Sequence, residues 1–546
     1  MTEAIQASIE GQPVLILKEG TTRSRGKEAQ RSNIMAATVI AETVKTSLGP
    51  KGMDKMLVAG FGDVTITNDG ATILKEMDIQ HPAAKMMVEV SKTTDDEVGD
   101  GTTSVVVLAG KLLEKAQGLL DQNIHPTVIV DGYKAATDQA LVFLEEIAIP
   151  VKSKDKAMLK KVAMTTMATK MISASKEALA DISINAVLRV AQKTSEGDRV
   201  DIDDIKVEKK AGESIDATEL IDGMVLDKEV VHSGMPKLVK EARIALVSSP
   251  IEVEKTEFTA KINIEKPEEM QAFLDEEENV LKGMVDKVVA SGANVLICQK
   301  GIDDLAQHFL AKKGVLAVRR VSESSMEKLA KATGGKITAN IDGLSKQDLG
   351  YAKTVEEKKI AEDKWVFIEG CKDPRAVTIL IRGGTSKVVD EAERAIHDAL
   401  CVVRDLIERP YVVAGGGASE LEVASRVRKW ADKLSGKEQL AALEFASALE
   451  VIPVSLAENA GLDPVNILVE MRSQHGKGKV WAGVNADGGV KDMAEQDVYE
   501  PLAVKEQVIK SASEVASMLL RIDDVIASGK GGAPGMPPRS PGESEE

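Results

Sequence analysis

The stretch of residues 95–104 limits the fold of this chain more than any other part of the sequence. A glycine stands on each side of Asp100, three hydroxyl residues follow, and residues 105–109 are all apolar. This pattern predicts a polar loop at the start of a buried helix, where unpaired backbone N–H groups and an open glycine backbone suit a phosphate. A carboxylate beside a phosphate is repulsive unless a divalent cation bridges them, so Asp100 indicates Mg²⁺-nucleotide binding. The alternative is an ordinary N-cap formed by Asp100 or Thr102.

Length and composition restrict the class of protein. A chain of 546 residues is too long for one hydrophobic core and should form about two to four domains. Only 3% of the residues are aromatic, with 20 Met beside 7 Phe, which favours helix-rich cores of aliphatic side chains and Met. The formal net charge of -17 argues against nucleic-acid binding, because nucleic-acid-binding surfaces are basic.

Cysteine usage and hydropathy predict a reducing, cytoplasmic location. Cys298, Cys371 and Cys401 are far apart in the sequence and form no CxxC pair, so we expect neither a disulfide framework nor a zinc site. No N-terminal stretch resembles a signal peptide, and no apolar stretch is expected to approach the length of a membrane span.

The first third of the chain carries two more polar loops. A helix with an apolar face should end at Leu48-Gly49-Pro50-Lys51-Gly52, which is either a ligand loop or a plain C-cap. A strand at 64–67 leads to Asn68-Asp69-Gly70, a sequence with ordinary turn chemistry. Helices are predicted at 105–120 and 126–147. Pro150 then marks the first domain boundary.

The middle of the chain has a different pattern of predicted secondary structure. Lys170 lies in a break between predicted helices, where it either reaches a phosphate or is an exposed surface lysine. Between 223 and 370, helical segments separate strand candidates, which predicts a layered α/β domain with strands at 243–247, 293–299, 315–319 and 336–339. Within the segment 248–279, residues 252–257 are highly charged, whereas Met270, Phe273 and Leu274 put an apolar stripe on the acidic helix that follows them. This stripe either packs on its own domain or forms an exposed patch for partners.

The last third adds a long acidic helix and a third glycine loop. After a strand at 377–381, a helix carries Asp390, Glu391 and, two turns farther on, Asp398, which is too deep in the helix for its dipole to explain. Ala414-Gly415-Gly416-Gly417 opens another helix and is either a tight turn or a point of close ligand approach. The final helix is expected to run to residue 526. Residues 528–546, with 9 Gly or Pro, should form a mobile tail.

The glycine loops become informative as a set. The chain lacks GxxxxGK[ST] and GxGxxG, so a nucleotide site would have to be assembled from distant loops. Five motifs occur in one order, and together they resemble group II chaperonins of the archaeal thermosome type from about residue 14 to residue 526: Leu48-Gly49-Pro50-Lys51-Gly52, Asn68-Asp69-Gly70, Gly99-Asp100-Gly101-Thr102-Thr103, Ala414-Gly415-Gly416-Gly417 and Arg521-Ile522-Asp523-Asp524.

The resemblance implies a chaperonin fold with three domains. A mainly α-helical equatorial ATP-binding domain would comprise residues 1–150 and 405–526, and a small mixed intermediate domain residues 151–222 and 371–404. An α/β apical domain at 223–370 would bind clients, with a helical protrusion at about 248–279 as a built-in lid. Residues 527–546 would be a disordered tail.

The resemblance also assigns roles to single residues. It implies that Asp100 is the Mg²⁺ ligand and that Asp69 and Asp398 orient the attacking water. Asp390 competes with Asp398, but His397-Asp398-Ala399-Leu400 matches the family motif better. The other residues implied to contact the nucleotide are Leu48, Gly49, Pro50, Gly101, Thr102, Thr103, Ser104, Lys170, Gly415, Gly416, Asn485, Ala486 and Glu500.

The implied function is that of an ATP-dependent molecular chaperone. Its subunits would form a double ring that encloses unfolded proteins and is driven by Mg²⁺-ATP hydrolysis, in the cytoplasm, without a nucleic-acid or membrane partner. Two other classes remain open from the residues: a small-molecule kinase with an unusual phosphate loop, and a passive holdase that hydrolyses nothing.

Overall fold

The protein is rich in helices. The computed structural model describes residues 6–9, 12–15, 22–60, 62–170, 175–195, 197–253, 267–372 and 377–527. The helices in these residues are α1 (Gly26–Lys45), α2 (Gly70–Glu76), α3 (Pro82–Val98), α4 (Thr102–Asp121), α5 (Pro126–Ile147), α6 (Lys156–Met167), α7 (Lys176–Val190), α8 (Pro267–Ala290), α9 (Asp304–Lys312), α10 (Glu323–Thr333), α11 (Ser386–Glu408), α12 (Ala418–Ala431), α13 (Lys437–Leu449), α14 (Val451–Asn459), α15 (Pro464–Gly476) and α16 (Leu502–Leu520).

The strands are short at both ends of the chain and longer in the middle. They are β1 (Gln6–Ile9), β2 (Gln12–Leu15), β3 (Thr22–Arg25), β4 (Lys55–Val58), β5 (Val64–Thr67), β6 (Ile149–Pro150), β7 (Gln192–Thr194), β8 (Gly197–Arg199), β9 (Ile205–Ala211), β10 (Glu219–Ile221), β11 (Gly223–Leu226), β12 (Leu238–Val247), β13 (Val295–Cys298), β14 (Leu316–Val318), β15 (Ile337–Thr338), β16 (Gly350–Ile360), β17 (Asp363–Cys371), β18 (Val377–Gly383), β19 (Tyr411–Ala414), β20 (Ala482–Val484), β21 (Val490–Asp492), β22 (Tyr499–Pro501) and β23 (Asp524–Ala527).

The largest sheet has seven strands in the order β11-β17-β16-β12-β13-β14, and β15 also pairs with β12. Strands β12, β13 and β14 run parallel, with helices α8 and α9 between them in sequence, whereas β16 and β17 are antiparallel neighbours. The four strands predicted from the alternating pattern are all present. The prediction missed β11, a strand of only four residues, and also β16 and β17, where charged residues interrupt the apolar pattern of the long hairpin.

Two large hydrophobic clusters and three smaller ones hold the elements of the described residues. The larger cluster of buried apolar residues draws on positions 34–205 and again on 377–520, so both ends of the chain contribute to it. A second cluster lies entirely between positions 224 and 368. The ends also meet directly, because β3 pairs antiparallel with β23 and Arg25 lies opposite Asp524.

Three expectations about local structure were wrong. Asn68-Asp69-Gly70 is the start of α2, and the Asp69 side chain accepts a hydrogen bond from the backbone N–H of Thr72, so an N-cap replaces the expected turn. The last helix ends at Leu520 instead of residue 526, because the following residues pair as β23. Ala527 therefore belongs to a strand and not to the tail, and residues 528–546 lie outside the described residues.

The acidic segment of the middle region is described in part. Residues 254–266 and the side chain of Met270 lie outside the described part of the protein, but α8 is present from Pro267. Phe273 is 47% exposed and Leu274 is 51% exposed, so these two residues do not pack on their own domain. Phe273 and Leu274 are thus half-exposed on α8, and binding of a partner to the stripe stays a prediction.

One apolar stretch contradicts the expectation about membrane spans. Residues Lys437–Asn459 are long and apolar enough to cross a bilayer by length and composition alone. In this protein they form α13 and α14, and 67% of the most apolar part of the stretch is buried inside the protein. A core helix passes the same test of length and hydropathy, so the stretch is weak support for a membrane span.

Candidate functional site

Three glycine-rich loops from distant parts of the chain meet around one cavity of about 350 Å³. The first loop follows α1, the second joins α3 to α4, and the third joins β19 to α12. The residues singled out in the sequence that line this cavity are Leu48, Gly49, Pro50, Asp100, Gly101, Ser104, Gly416, Asn485, Ala486 and Glu500.

The two glycines beside Asp100 fix its direction. Gly99 ends α3 with φ 67° and Gly101 begins α4 with φ 80°, conformations that other residues rarely adopt. Asp100 accepts hydrogen bonds from the backbone N–H of Gly101 at 2.6 Å and from the hydroxyl of Thr166 at 2.9 Å. The N-cap residue of α4 is Gly101, which has no side chain, so the alternative of a side-chain cap was wrong for this helix.

The other two loops are held by close packing. The side-chain amide of Asn459 donates to the carbonyl of Leu48 at 2.8 Å and fixes the loop after α1. A Cβ at Gly417, where φ is 75°, would lie 2.7 Å from Cβ of Pro453. Glycine at this position therefore lets the start of α12 lie directly against α14.

A smaller cavity of about 60 Å³ shares the lining of the first at Asp100 and its neighbours. Its wall includes the remaining predicted residues of this region, namely Asp69, Thr102, Thr103 and Lys170. The two cavities form one continuous site, because Leu48, Gly49, Gly101 and Ser104 face both.

Lys170 is the central cation of the smaller cavity. Its Nζ lies 2.8 Å from Oδ2 of Asp398 and 3.6 Å from Oδ1 of Asp69. Only 8% of its surface is exposed, so the alternative of a surface lysine was wrong. Burial lowers the pKa of Lys170, but the charges of Asp398 and Asp69 outweigh burial and raise that pKa above its ordinary value.

The pKa values of two carboxyl groups near Lys170 are shifted in opposite directions. Burial raises the pKa of Asp69, but the charge of Lys170 and hydrogen bonds from Thr72 and Thr102 lower it below the ordinary value overall. The pKa of Asp100 is raised by burial and by the charge of Asp398. Three carboxylates, those of Asp69, Asp100 and Asp398, thus face one ammonium group.

This arrangement fits a divalent cation. Oxygen donors suit Mg²⁺, and burial and the charge of Asp398 disfavour the ionised form of Asp100. A divalent cation bound at Asp100 would compensate its charge and favour the ionised form.

Asp398 lies behind the wall of the smaller cavity and contacts Lys170, which belongs to that wall. It is 5% exposed on α11 and reaches the site through Lys170. The competing residue Asp390 is half-buried on the same helix, and its Oδ1 lies 2.9 Å from Nζ of Lys209 on β9. The structure thus brings Asp398, and not Asp390, to Asp69 and Lys170.

The lining of the larger cavity also contains a second charge cluster, which is mostly buried. Strand β22 pairs with β19 so that Glu500 lies opposite Val413, and a Cβ at Gly415 would lie 2.6 Å from Oε1 of Glu500. Gly415 thus lies directly against the side chain of Glu500, behind the lining of the cavity. Nζ of Lys505 lies 2.5 Å from Oε2 of Glu500 and 2.7 Å from Oε1 of Glu420.

Sequence reasoning missed several residues of the site. Lys505 and Thr166 line the cavity from the inner faces of α16 and α6, and neither stands in a recognisable motif. Asp95 also approaches the site, because its carboxylate lies within 4.8 Å of ligand atoms of Asp398 and His397. Its pKa is raised to about 7 by burial and by the charges of Asp69 and Asp398. Only the position of Asp95 just before the Asp100 loop could have suggested it.

Comparisons with known proteins agree over nearly the whole length. The sequence matches the model of the TCP-1/cpn60 chaperonin family over residues 40–530. It is similar to the thermosome subunit beta of Archaeoglobus fulgidus, with 57% identity over 542 residues that cover 97% of this chain and 99% of the relative. It is 59% identical over 520 residues to a thermosome subunit of Methanopyrus kandleri, covering 95% of each chain. Identity to the thermosome subunit beta of Thermococcus kodakarensis is 57% over 525 residues, covering 96% of each chain.

Proposed function

This chain belongs to the TCP-1/cpn60 chaperonin family, and from that premise we propose that the double cavity is the site at which it binds and hydrolyses Mg²⁺-ATP. The motifs had predicted an archaeal group II chaperonin, and the family match and thermosome relatives confirm it. The protein is an ATPase-driven molecular chaperone that assembles with other subunits. One observation carries the assignment of the site: Asp69, Asp100, Lys170 and Asp398, from four distant segments, meet beside one cavity.

The larger cavity would hold the nucleoside and the smaller one the terminal phosphate. Asn485 and Ala486, which line the larger cavity, would contact the base, and Glu500 would accept hydrogen bonds from ribose hydroxyls. Gly101, Thr102, Thr103 and Ser104 offer the backbone N–H groups and hydroxyls at the start of α4 to the phosphates. Leu48, Gly49 and Pro50 close the wall, with Gly416 opposite.

Asp100 would hold Mg²⁺. When Mg²⁺ is bound, it would neutralise negative charge on the phosphates. Asp69 and Asp398 would orient the attacking water through their oxygens, in the region where Lys170 joins them. Lys170 is placed to sense the terminal phosphate, since a phosphate oxygen can replace a carboxylate as its partner. Positioning of the reacting groups and electrostatic stabilisation supply most of the rate enhancement in enzymatic phosphoryl transfer.

The domain assignment connects this site to client folding. Residues 1–150 and 405–526 would form the equatorial domain, residues 151–222 and 371–404 the intermediate domain, and residues 223–370 the apical domain. Lys170 and Asp398 both come from the intermediate segments, so closing the site would move the intermediate domain. That motion would swing the apical domains of a double ring inward, with the segment at about 248–279 as the lid over an unfolded client. We place the particle in the cytoplasm, acting without a nucleic-acid or membrane partner.

The decisive experiment compares Asp398→Ala with Asp390→Ala in the assembled particle. Asp398→Ala should bind nucleotide nearly as the parent does, because the residue lies behind the cavity wall, but should lose most Mg²⁺-dependent phosphate release. Turnover close to that of the parent in Asp398→Ala would overturn the catalytic assignment, and loss of turnover in Asp390→Ala alone would transfer it to Asp390.

A further inference from the structure

Glu391 is a buried charge that the mechanism above does not use. It lies on α11, is 1% exposed, and its Oε2 accepts hydrogen bonds from Nε and Nη2 of Arg394 at 3.0 and 2.8 Å. Its Oε1 is buried and accepts no hydrogen bond from any residue that the structure describes. Burying a carboxylate with one oxygen unpaired is unfavourable for stability, so a functional role explains this residue better than packing does.

The Oε2 atom also links α11 to the loop that carries Asp69. The hydroxyl of Thr67, at the end of β5, donates to Oε2 of Glu391 at 3.3 Å. The same hydroxyl accepts a hydrogen bond from the backbone N–H of Asp69 at 3.1 Å. Thr67 is 1% exposed, so water does not compete for these contacts. One hydroxyl thus joins a residue of α11 to the backbone of a residue in the site.

The spacing of Glu391 and Asp398 makes the link geometrically useful. Seven residues correspond to almost two full helical turns, so both side chains project from one face of α11, about 10 Å apart. Glu391 contacts the Asp69 loop through Thr67, and Asp398 contacts the Asp69 side chain through Lys170. α11 also packs on α6, α7 and β9, and the contacts of Glu391 and Asp398 add two attachments on one face that set its rotation relative to the Asp69 loop.

We propose that Glu391 is a positioning residue for ATP hydrolysis, which acts through Thr67 to lock α11 in the rotation that aims Asp398 at the attacking water. The inference rests on the proposed role of Asp398. The distance of 3.3 Å is long for a bond between a hydroxyl and a carboxylate, and hydrogen bonds of this kind commonly tighten only when substrate is bound.

The test uses Thr67→Val and Glu391→Leu, each of which removes the link while nearly preserving side-chain volume. Loss of the lock should lower kcat about tenfold, because small misplacements of a catalytic group are costly. The affinity for Mg²⁺-ADP should change less than about twofold, since neither residue lines the larger cavity. Thr67→Ser keeps the hydroxyl and should retain the kcat of the parent.

The double variant separates a shared link from two unrelated defects. Because Thr67→Val and Glu391→Leu break the same connection, kcat of the double variant should fall about tenfold and not about a hundredfold. The control is Glu393→Gln, on the same helix, where Oε2 pairs with Lys209 at 2.6 Å and both side chains are about 40% exposed. This variant should keep the kcat of the parent.

Four results would overturn the lock. These are parental kcat in Thr67→Val, equal impairment in Thr67→Ser and Thr67→Val, a parallel loss of Mg²⁺-ADP affinity, and multiplying effects in the double variant. If Glu391→Leu fails to assemble, as judged by light scattering, the comparison of Thr67→Val with Thr67→Ser decides by itself. Loss of turnover in Asp398→Ala with none in Thr67→Val refutes the lock alone, whereas parental turnover in Asp398→Ala refutes the catalytic site.

Discussion

Replacing Lys170 by Met tests whether a single buried cation holds the carboxylates together. The Nζ atom lies 2.8 Å from Asp398 and 3.6 Å from Asp69, which corresponds to gross attractions of about 6 and 5 kcal/mol at an effective dielectric constant of about 20. Desolvation of the three charges offsets much of this attraction. Removing one partner of a buried pair nevertheless costs about 3–5 kcal/mol, because the remaining charges lose their compensation. We expect Lys170→Met to destabilise the protein by that amount at pH 8.

The destabilisation caused by Lys170→Met should depend on pH, and the direction of this dependence follows from the carboxyl pKa values. The pKa of Asp69 is lowered in the folded protein, so its pairing stabilises the fold above the unfolded pKa and is lost as pH falls through the folded value. Without Lys170, burial raises the carboxyl pKa values instead, and the cost of ionising these groups grows as pH rises. The destabilisation by Lys170→Met should therefore be larger at pH 8 than at pH 5.

The assay is the midpoint of thermal unfolding, followed by circular dichroism at both pH values. Lys160→Met is the matched control, because Lys160 pairs with Asp181 at the same distance of 2.8 Å, but the two side chains are 34% and 54% exposed. Exposed pairs contribute about 0.2–1 kcal/mol, so the control should hardly shift the midpoint. Equal shifts in the two variants, or a Lys170→Met shift that does not change with pH, would refute the reasoning.

Two further variants probe other parts of the site. Gly417→Ala should lower the thermal midpoint by an equivalent of about 1–2 kcal/mol, because φ 75° and the contact with Pro453 strain any side chain at this position. Gly476→Ala is its control, since a Cβ there meets no atom within 4 Å, and an equal loss in both variants would contradict the packing argument. The pKa of Asp95 is raised to about 7, so ionisation of Asp95 costs stability increasingly from about pH 4 to pH 7. Asp95→Asn should therefore raise the thermal midpoint more at pH 8 than at pH 5, and a gain independent of pH would exclude this origin.

Helix positions followed from the sequence where apolar periodicity was strong. The helix predicted at 126–147 is α5, and the one predicted at 105–120 is the larger part of α4. The strands missed in the middle region, β16 and β17, show why other elements were harder. Their burial depends on a long antiparallel hairpin and its neighbours, and not on a regular alternation of residue types.

Some residues of the candidate site could be recognised from the sequence, whereas others needed the structure. The sequence placed Asp100 between two glycines, and the structure shows how φ values of 67° and 80° direct it. Lys170 looked like a surface lysine because its own segment offers no partner, and its two carboxylates come from positions far away in the chain. Lys505 gave no signal, since its partners Glu420 and Glu500 belong to other elements.

The sequence by itself determined the family and the positions of the strongly periodic helices. Glycines, caps and apolar periodicity act within a few residues, and the order of five short motifs identified a group II chaperonin before any contact was known. Only the tertiary structure decided which charges are buried together, because burial and electrostatic compensation depend on neighbours that are hundreds of residues apart. The clustering of Asp69, Asp100, Lys170 and Asp398 therefore required the fold, although each of these residues could be singled out beforehand.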